Sequence, residues 1–344
     1  MSLLDFIRPD RPTMEVCMMG PRAVGKTTIL TSVFNETKTS IASTNLKLVD
    51  RGDTGEQLDD RYKQLMSVFE EREDISTVGA GINATNYESK FQFSFGIVGK
   101  DPSVDLNISD FPGEYVVNNT DKVKEFIEKS TAVFIAIDTP HLMELDGKFN
   151  EIKNKVTDIT KFFKETIKDI DSEKLILLIP LKCEKYAHTG RLEEVLEKVE
   201  TTYKDLIALF KENPKICCAV TPIHTLGDVE FDKFSYDSDG KIVLDVDGTP
   251  KNVVYKYIND NPQYEPRFCS QPLYSILSFV AAQYTRSKNS GGIWNKIKSA
   301  IWDLFKSDEE LFNEILKMER NRISDNEKLG YKVLCGGRLF HYNH

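Results

Sequence analysis

The chain has little of what marks a secreted, membrane-spanning or nucleic-acid-coating protein. Its six cysteines, Cys17, Cys183, Cys217, Cys218, Cys269 and Cys335, include no CxxC pair, so neither a zinc ribbon nor a dithiol motif is expected. Several lie in apolar runs, which reads as reduced thiols in a cytoplasmic core. No run approaches the ~18 apolar residues that span a bilayer. The first dozen residues carry charges and two prolines where a leader would be apolar. Lys and Arg total 45 against 54 Asp and Glu, a net charge of −9, so no nucleic acid is expected as a partner. His341 and His344 have HxxH spacing without cysteine or carboxylate support, and no metal is expected there.

Against these absences stands one complete motif. Gly20-Pro21-Arg22-Ala23-Val24-Gly25-Lys26-Thr27 fits GxxxxGK[ST]. It follows the apolar run Met14 to Met19 and opens a helical pattern carrying Ile29, Leu30, Val33 and Phe34. A loop between strand and helix aims successive N–H groups and a helix dipole at one spot, which is an anion site. Lys26 would reach β- and γ-phosphates, the Thr27 hydroxyl would bind Mg²⁺, and Thr28 joins the site as the next residue of the helix.

From residue 13 to about 285, strand-like runs alternate with 3.6-period stretches, which predicts an α/β fold: a mostly parallel sheet flanked by helices. The expected strands are 14–19, 90–98, 104–109, 131–138, 174–181 and 216–221. The expected helices are 27–37, 115–129, 150–170, 191–212 and 273–284. Residues 38–89 form a long connection with a helical stretch marked by Leu58, Tyr62, Leu65, Met66 and Phe69. Residues 228–262 read as an inserted β-hairpin with turns at Asp239-Gly240 and Asp247-Gly248. Gly291-Gly292 mark a hinge into a C-terminal helical segment.

Three further strings sit at strand ends. Asp110-Phe111-Pro112-Gly113-Glu114 has DxxG spacing, in which the acid would hold the Mg²⁺ shell and the Gly113 N–H would meet the γ-phosphate. In Lys182-Cys183-Glu184, the lysine stem would lie along a purine face while the carboxylate accepts the two N–H donors of guanine. Adenine lacks that donor pair on the matching edge. Thr221, after Lys215 to Val220, falls in a base-edge loop. The threonine completing Mg²⁺ coordination is expected shortly before the second strand, at Thr85 or alternatively Thr77.

The order of these strings resembles the translation-factor and Ras-related class of P-loop GTPases. Within it, 110–114, 180–185 and 221–227 are similar to the bacterial double-GTPase family of conflict and defence systems. The resemblance implies GTP and GDP as ligands, Mg²⁺ dependence, and a switch whose two states differ in affinity for a protein partner. It divides the chain into an N-terminal arm (1–12), a GTPase domain (13–286, with 38–89 as a long switch I region) and the C-terminal helical segment (287–344). Leu181 replaces the asparagine or threonine usual in NKxD, and Glu184 replaces aspartate. Glu114 stands where many Ras-like members have a water-orienting glutamine, and Arg22 where they have a small residue. Glu114, Arg22 and Lys26 are therefore the expected catalytic residues of a slow Mg²⁺-dependent hydrolysis. The alternatives are a non-hydrolysing nucleotide-bound scaffold or an ATPase.

Beyond Gly291, both tryptophans, Trp294 and Trp302, fall in an amphipathic stretch with Ile297, Ala300, Ile301, Leu304 and Phe305 on one face. It reads as a helix docked on the domain, with a partner groove as the alternative and a membrane surface as the least favoured.

Overall fold

The computed structural model describes residues 11–21, 23–41, 44–71, 89–111, 115–289, 303–306, 308–318 and 330–340. The strands are β1 (Thr13–Met19), β2 (Leu46–Asp50), β3 (Ser89–Ile97), β4 (Val104–Asp110), β5 (Ala132–Asp138), β6 (Lys174–Leu181), β7 (Ile216–Val220), β8 (Val229–Phe234), β9 (Val253–Tyr257) and β10 (Lys332–Cys335). Eight of them make one sheet in the order β10-β7-β6-β5-β1-β4-β3-β2. β4, β1, β5, β6 and β7 run parallel. The two edges are antiparallel, β3 on β4, β2 on β3, and β10 on β7. The fold is α/β: a P-loop sheet, mostly parallel and flanked by helices, with an inserted hairpin and a C-terminal helical extension.

Both sheet faces are covered, which is why β5 and β6 are buried at every position and read as unbroken apolar runs. Successive side chains point to opposite faces. Met14, Val16 and Met18 enter one core with Ile29, Leu30 and Phe34 of α1 (Lys26–Ser40). Cys17 and Met19 enter the other, with Val123 and Ile127. That second face is roofed by α3 (Thr120–Lys129), α4 (Val156–Thr166), α5 (Leu192–Thr202) and α6 (Lys204–Glu212). The first also receives α7 (Gln271–Asn289). Between β2 and β3, α2 (Thr54–Glu71) supplies the helix expected from Leu58, Leu65 and Phe69.

Differences from the sequence reading are local. The helix expected over 150–170 breaks at Lys155, whose φ of 51° is left-handed. The one expected over 191–212 breaks at Tyr203, and the one over 115–129 at Asn119. β2 and β10, of five and four residues, were not expected, because so short a run becomes a strand only when a neighbour's edge is there to pair with it. In the C-terminal segment, 303–306 and 309–318 are helical. Leu304, Phe305, Leu311, Ile315 and Met318 are buried in the α1/α7 core, with the Phe305 ring 5.4 Å from Tyr284. Trp294 and Trp302 lie outside the described residues, as do His341 and His344. Among the described residues no helix is long and apolar enough to cross a membrane.

Candidate nucleotide site

The C-terminal ends of the parallel strands converge on the loop between β1 and α1, where a crevice is expected in an open α/β sheet. The loop's shape is fixed by close packing. Gly20 has φ 150°, and a Cβ there would lie 2.8 Å from the Cβ of Ala136 on β5; the neighbouring strand therefore demands glycine. Gly25 has φ 107°, and Ala23 holds a left-handed φ of 57°, a cost tolerated where a loop's N–H groups must point inward.

Lys26 curls back under the loop. Its Nζ donates to Gly20 O at 3.1 Å and Pro21 O at 3.4 Å and stands 3.6 Å from Asp110 Oδ1. Asp110 ends β4, is 2% exposed, and neither of its oxygens has a hydrogen-bond partner. Burial pushes its carboxyl up to about 6, against the pull of the Lys26 ammonium. A buried carboxylate that has no hydrogen bond and faces only an ammonium is a donor suited to a hard cation. No cluster of three His, Cys or carboxylate side chains placed to hold a metal occurs among the described residues, so phosphate oxygens and water would have to complete the shell. Thr28 is buried, and Thr27 is half-buried. Arg22, Pro112, Gly113, Glu114, Thr77 and Thr85 lie outside the described residues.

The KxE string sits beside the loop at the end of β6. Lys182 takes a left-handed φ of 62°, and its side chain reaches the loop between β1 and α1: Nζ is 3.5 Å from Ala23 O and 2.7 Å from Asp138 Oδ2. Burial alone lowers the lysine, and the Asp138 carboxylate and Tyr255 hydroxyl outweigh it and hold the ammonium above its ordinary value. Asp138, fully buried at the end of β5, also accepts at Oδ1 from His141 N, and that oxygen lies 2.6 Å from His141 Nδ1. Burial opposes its charge, but His141 and Lys182 keep the carboxyl well below its usual range.

Glu184 has a second task that its spacing did not suggest. It is 2% exposed, and Oε1 accepts from the backbone N–H of Thr225 at 2.6 Å and Leu226 at 2.8 Å. One carboxylate oxygen thus ties the loop after β7 to the end of β6. Burial raises its pKa, opposed chiefly by the Leu226 N–H. Thr221 is buried, its N–H donating to Leu178 O at 3.0 Å, and its hydroxyl has no partner.

Sequence reasoning did not single out Asp138, His141 or Tyr255. An acid closing an apolar strand, Ala132 to Asp138, is the same signal that marked Asp110 and was available for Asp138. Tyr255 carried no signal, because its place depends on how the hairpin folds back. That hairpin is β8 paired antiparallel with β9, extended by bridges Tyr236↔Ile242 and Leu244↔Pro250. It packs Phe231 and Phe234 on Phe149, while Tyr255 joins Leu65 and Phe69 of α2.

No protein-family model matches the chain, and no curated protein matches it. Among solved structures it is similar to the Saccharomyces cerevisiae Ski7 GTPase-like domain. The form bound to GTP has 14% identity, covers 77% of this chain and 50% of that one, and gives a TM-score of 0.40. The form bound to GDP and inorganic phosphate has 16% identity, 65% and 46% coverage, and a TM-score of 0.38. The Chaetomium thermophilum signal recognition particle receptor SRb-GTP/SRX complex has 16% identity, 64% and 94% coverage, and a TM-score of 0.34. The chain thus spans half or less of the length of the Ski7 chains it matches. Overlaps this loose carry no functional argument, which falls to the site's own residues.

Proposed function

We propose that this protein is a guanine-nucleotide-binding switch with slow, Mg²⁺-dependent GTP hydrolysis. The observation that carries the reading is the meeting, at one end of the sheet, of the loop lysine Lys26, the buried carboxylate of Asp110, which faces that lysine and has no hydrogen bond, and Lys182 reaching across to Ala23 O. Lys26, released from Gly20 O and Pro21 O, would donate to the β- and γ-phosphates, and the loop's N–H groups would hold the remaining oxygens. Thr27 and Asp110, with Thr85 or Thr77 from the preceding connection, would hold Mg²⁺, which when bound neutralises charge on the phosphates. The Lys182 stem and Glu184 would contact guanine, with Thr221 at the base edge. Attack of water on the γ-phosphate is then a matter of positioning and charge, in which Glu114 and Arg22 are the groups to test.

The strings 110–114, 180–185 and 221–227 support a place in a bacterial conflict or defence system, acting through a protein partner. A glutamate in place of the water-orienting glutamine favours a second reading, a nucleotide-bound scaffold that does not turn over. The deciding experiment extracts the nucleotide that copurifies with the protein and follows phosphate release from added GTP. Guanine nucleotide with slow sustained release is expected. Bound guanine nucleotide without release supports the scaffold, and bound adenine nucleotide overturns the guanine reading.

A further inference from the structure

We propose that Cys218 and Cys335 are a redox-sensitive thiol pair: oxidation joins them in a disulfide that staples the C-terminal strand β10 to β7.

The ladder sets the pairing. β10 runs antiparallel to β7 with Lys332 opposite Val220 and Val333 opposite Ala219, and a regular continuation would put Leu334 opposite Cys218. The register instead shifts after Val333, and Cys335 faces Cys218. A bulge of this kind re-aims a side chain. Val333 packs with the same core as Ala219, whereas Leu334 and Cys335 both pack with the opposite core, which holds Cys218. The two thiols therefore stand on one face of the sheet. Residues directly opposite in an antiparallel ladder have Cα atoms about 4.5 or 5.5 Å apart, and both spacings fall within the roughly 4.4–6.8 Å that a disulfide spans. Gly336 fixes the backbone just beyond Cys335: its φ is 67°, and a Cβ there would collide with Ile216 O at the start of β7.

All six cysteines are free thiols, and the other four do not compete for Cys335. Cys217 points to the opposite face of the sheet from Cys218. Cys17 is four strands from β10, about 19 Å at the ladder spacing. Cys269 lies in the α1/α7 core, and Cys183 in a separate cluster with Tyr186 and Val195.

Cys335 is half-buried and Cys218 fully buried. Burial holds the Cys218 thiol well above its ordinary range, so Cys335 meets the oxidant first. With a peroxide, the Cys335 thiolate takes one oxygen to become a sulfenic acid as hydroxide leaves. Cys218 then gives up its proton, and its sulfur displaces the sulfenic hydroxyl to form the S–S bond. Two thiols and one hydrogen peroxide become one disulfide and two waters. The bond fastens an edge strand of four residues, too short to be held firmly by its own ladder, and closes a loop of roughly a hundred residues, which restrains the unfolded chain strongly.

The test treats the full chain, without denaturant, with a small molar excess of hydrogen peroxide, alkylates the remaining thiols and maps unreduced peptides by mass spectrometry. A peptide containing Cys335 is expected to be linked to the one containing Cys217 and Cys218, lighter by the hydrogens lost and released by dithiothreitol. Cys217→Ala assigns the bond, because it is expected to keep the link that Cys218→Ala and Cys335→Ser abolish. Cys335→Ser alters only a half-buried position, so its fold is expected to survive. The oxidised parent is expected to melt about 5 °C or more above the reduced one, a shift absent in Cys335→Ser. A pair that served packing alone, as small apolar side chains, would stay reduced. Thiols that remain open to alkylation on unfolding, Cys335 carried on to sulfinic acid, or a bond to Cys217 or to a second molecule overturns the inference. A link that leaves the melting temperature unchanged overturns the staple.

Discussion

Lys26 Nζ, at the start of α1, and Asp110 Oδ1, at the end of β4, face each other at 3.6 Å. The pair joins the loop that would bind phosphate to the acid that would stand behind the metal. Each partially satisfies the other: the lysine has two loop carbonyls besides, the carboxylate has no hydrogen bond. A ligand that drew Lys26 towards phosphate would leave Asp110 in need of another cation, which couples triphosphate and metal binding.

Replacing Lys26 with Ala is therefore expected to weaken binding of a fluorescent GTP analogue by about ten- to a hundredfold, the value of a charge-assisted hydrogen bond. The fold is expected to survive, because the lysine's partners are two loop carbonyls and Asp110, and the buried Asp110 carboxyl, already pushed up to about 6, can take up a proton once the ammonium is gone. Equal affinities with equal circular dichroism would remove Lys26 from the site.

Glu184 must be tested with two substitutions, since it serves both the loop and the proposed base. Glu184→Ala deprives the N–H groups of Thr225 and Leu226 of their acceptor. It is expected to destabilise the protein by about 1–3 kcal/mol, the cost of stranding buried donors, as well as to weaken GDP binding more than ADP binding. Glu184→Gln keeps an oxygen for those N–H groups while removing the charge. It is expected to melt closer to the parent yet lose the preference for GDP over ADP. Competition by ADP as strong as by GDP in the parent would refute guanine selection.

Hydrolysis is expected to be slow, with Glu114 and Arg22 setting its rate. An ionised glutamate can accept a proton from water but cannot donate to the γ-phosphate as a glutamine amide does. An arginine supplied to the developing charge is worth roughly 10³ to 10⁵ in rate in proteins that use one. Single-turnover rates for Glu114→Gln and Arg22→Ala should each differ from the parent. If both stay within about twofold, neither residue takes part.

His224 makes the protein acid-sensitive. It is 4% exposed, its Nε2 has no partner, and burial, with a smaller push from His188 and Arg267, lowers its pKa from the ordinary 6.5 to about 4. The unfolded chain takes up this proton below 6.5 and the folded chain only below about 4. The stabilisation is thus complete above pH 6.5 and is lost as pH falls towards 4, by about 3 kcal/mol in all. Denaturant unfolding of the parent and of His224→Phe should diverge in slope across that window. Parallel pH profiles would show that His224 does not titrate on unfolding.

How far the sequence could be read depended on the range of the interaction. The α/β class, six of the sheet strands and the loop at 20–27 follow from local pattern: a buried parallel strand is apolar throughout, and a loop of this spacing between strand and helix needs no distant contact to be recognised. β2 and β10 were illegible for the opposite reason. Five residues, or four, become strands when β3 and β7 offer them an edge, and that offer is made by residues far away in the chain. The breaks at Lys155 and Tyr203 likewise answer to packing, since each 3.6-period pattern runs across its break unaltered.

At the site, the sequence by itself determined the chemical types: a GxxxxGK[ST] loop, a strand-end acid at Asp110, a lysine and a glutamate at the end of β6. Each is set by a short run whose backbone conformation is fixed by its immediate neighbours. Only the tertiary structure decided which of these groups are spoken for. Glu184 holds two N–H groups of a loop 41 and 42 residues away, Lys182 is anchored to Asp138, 44 residues earlier, and Tyr255 enters from an insertion whose alternation of residues gives no hint of its neighbour. A buried polar group must find a partner wherever the fold supplies one, and that supply comes from the packing of strands and the hairpin, which local sequence does not encode.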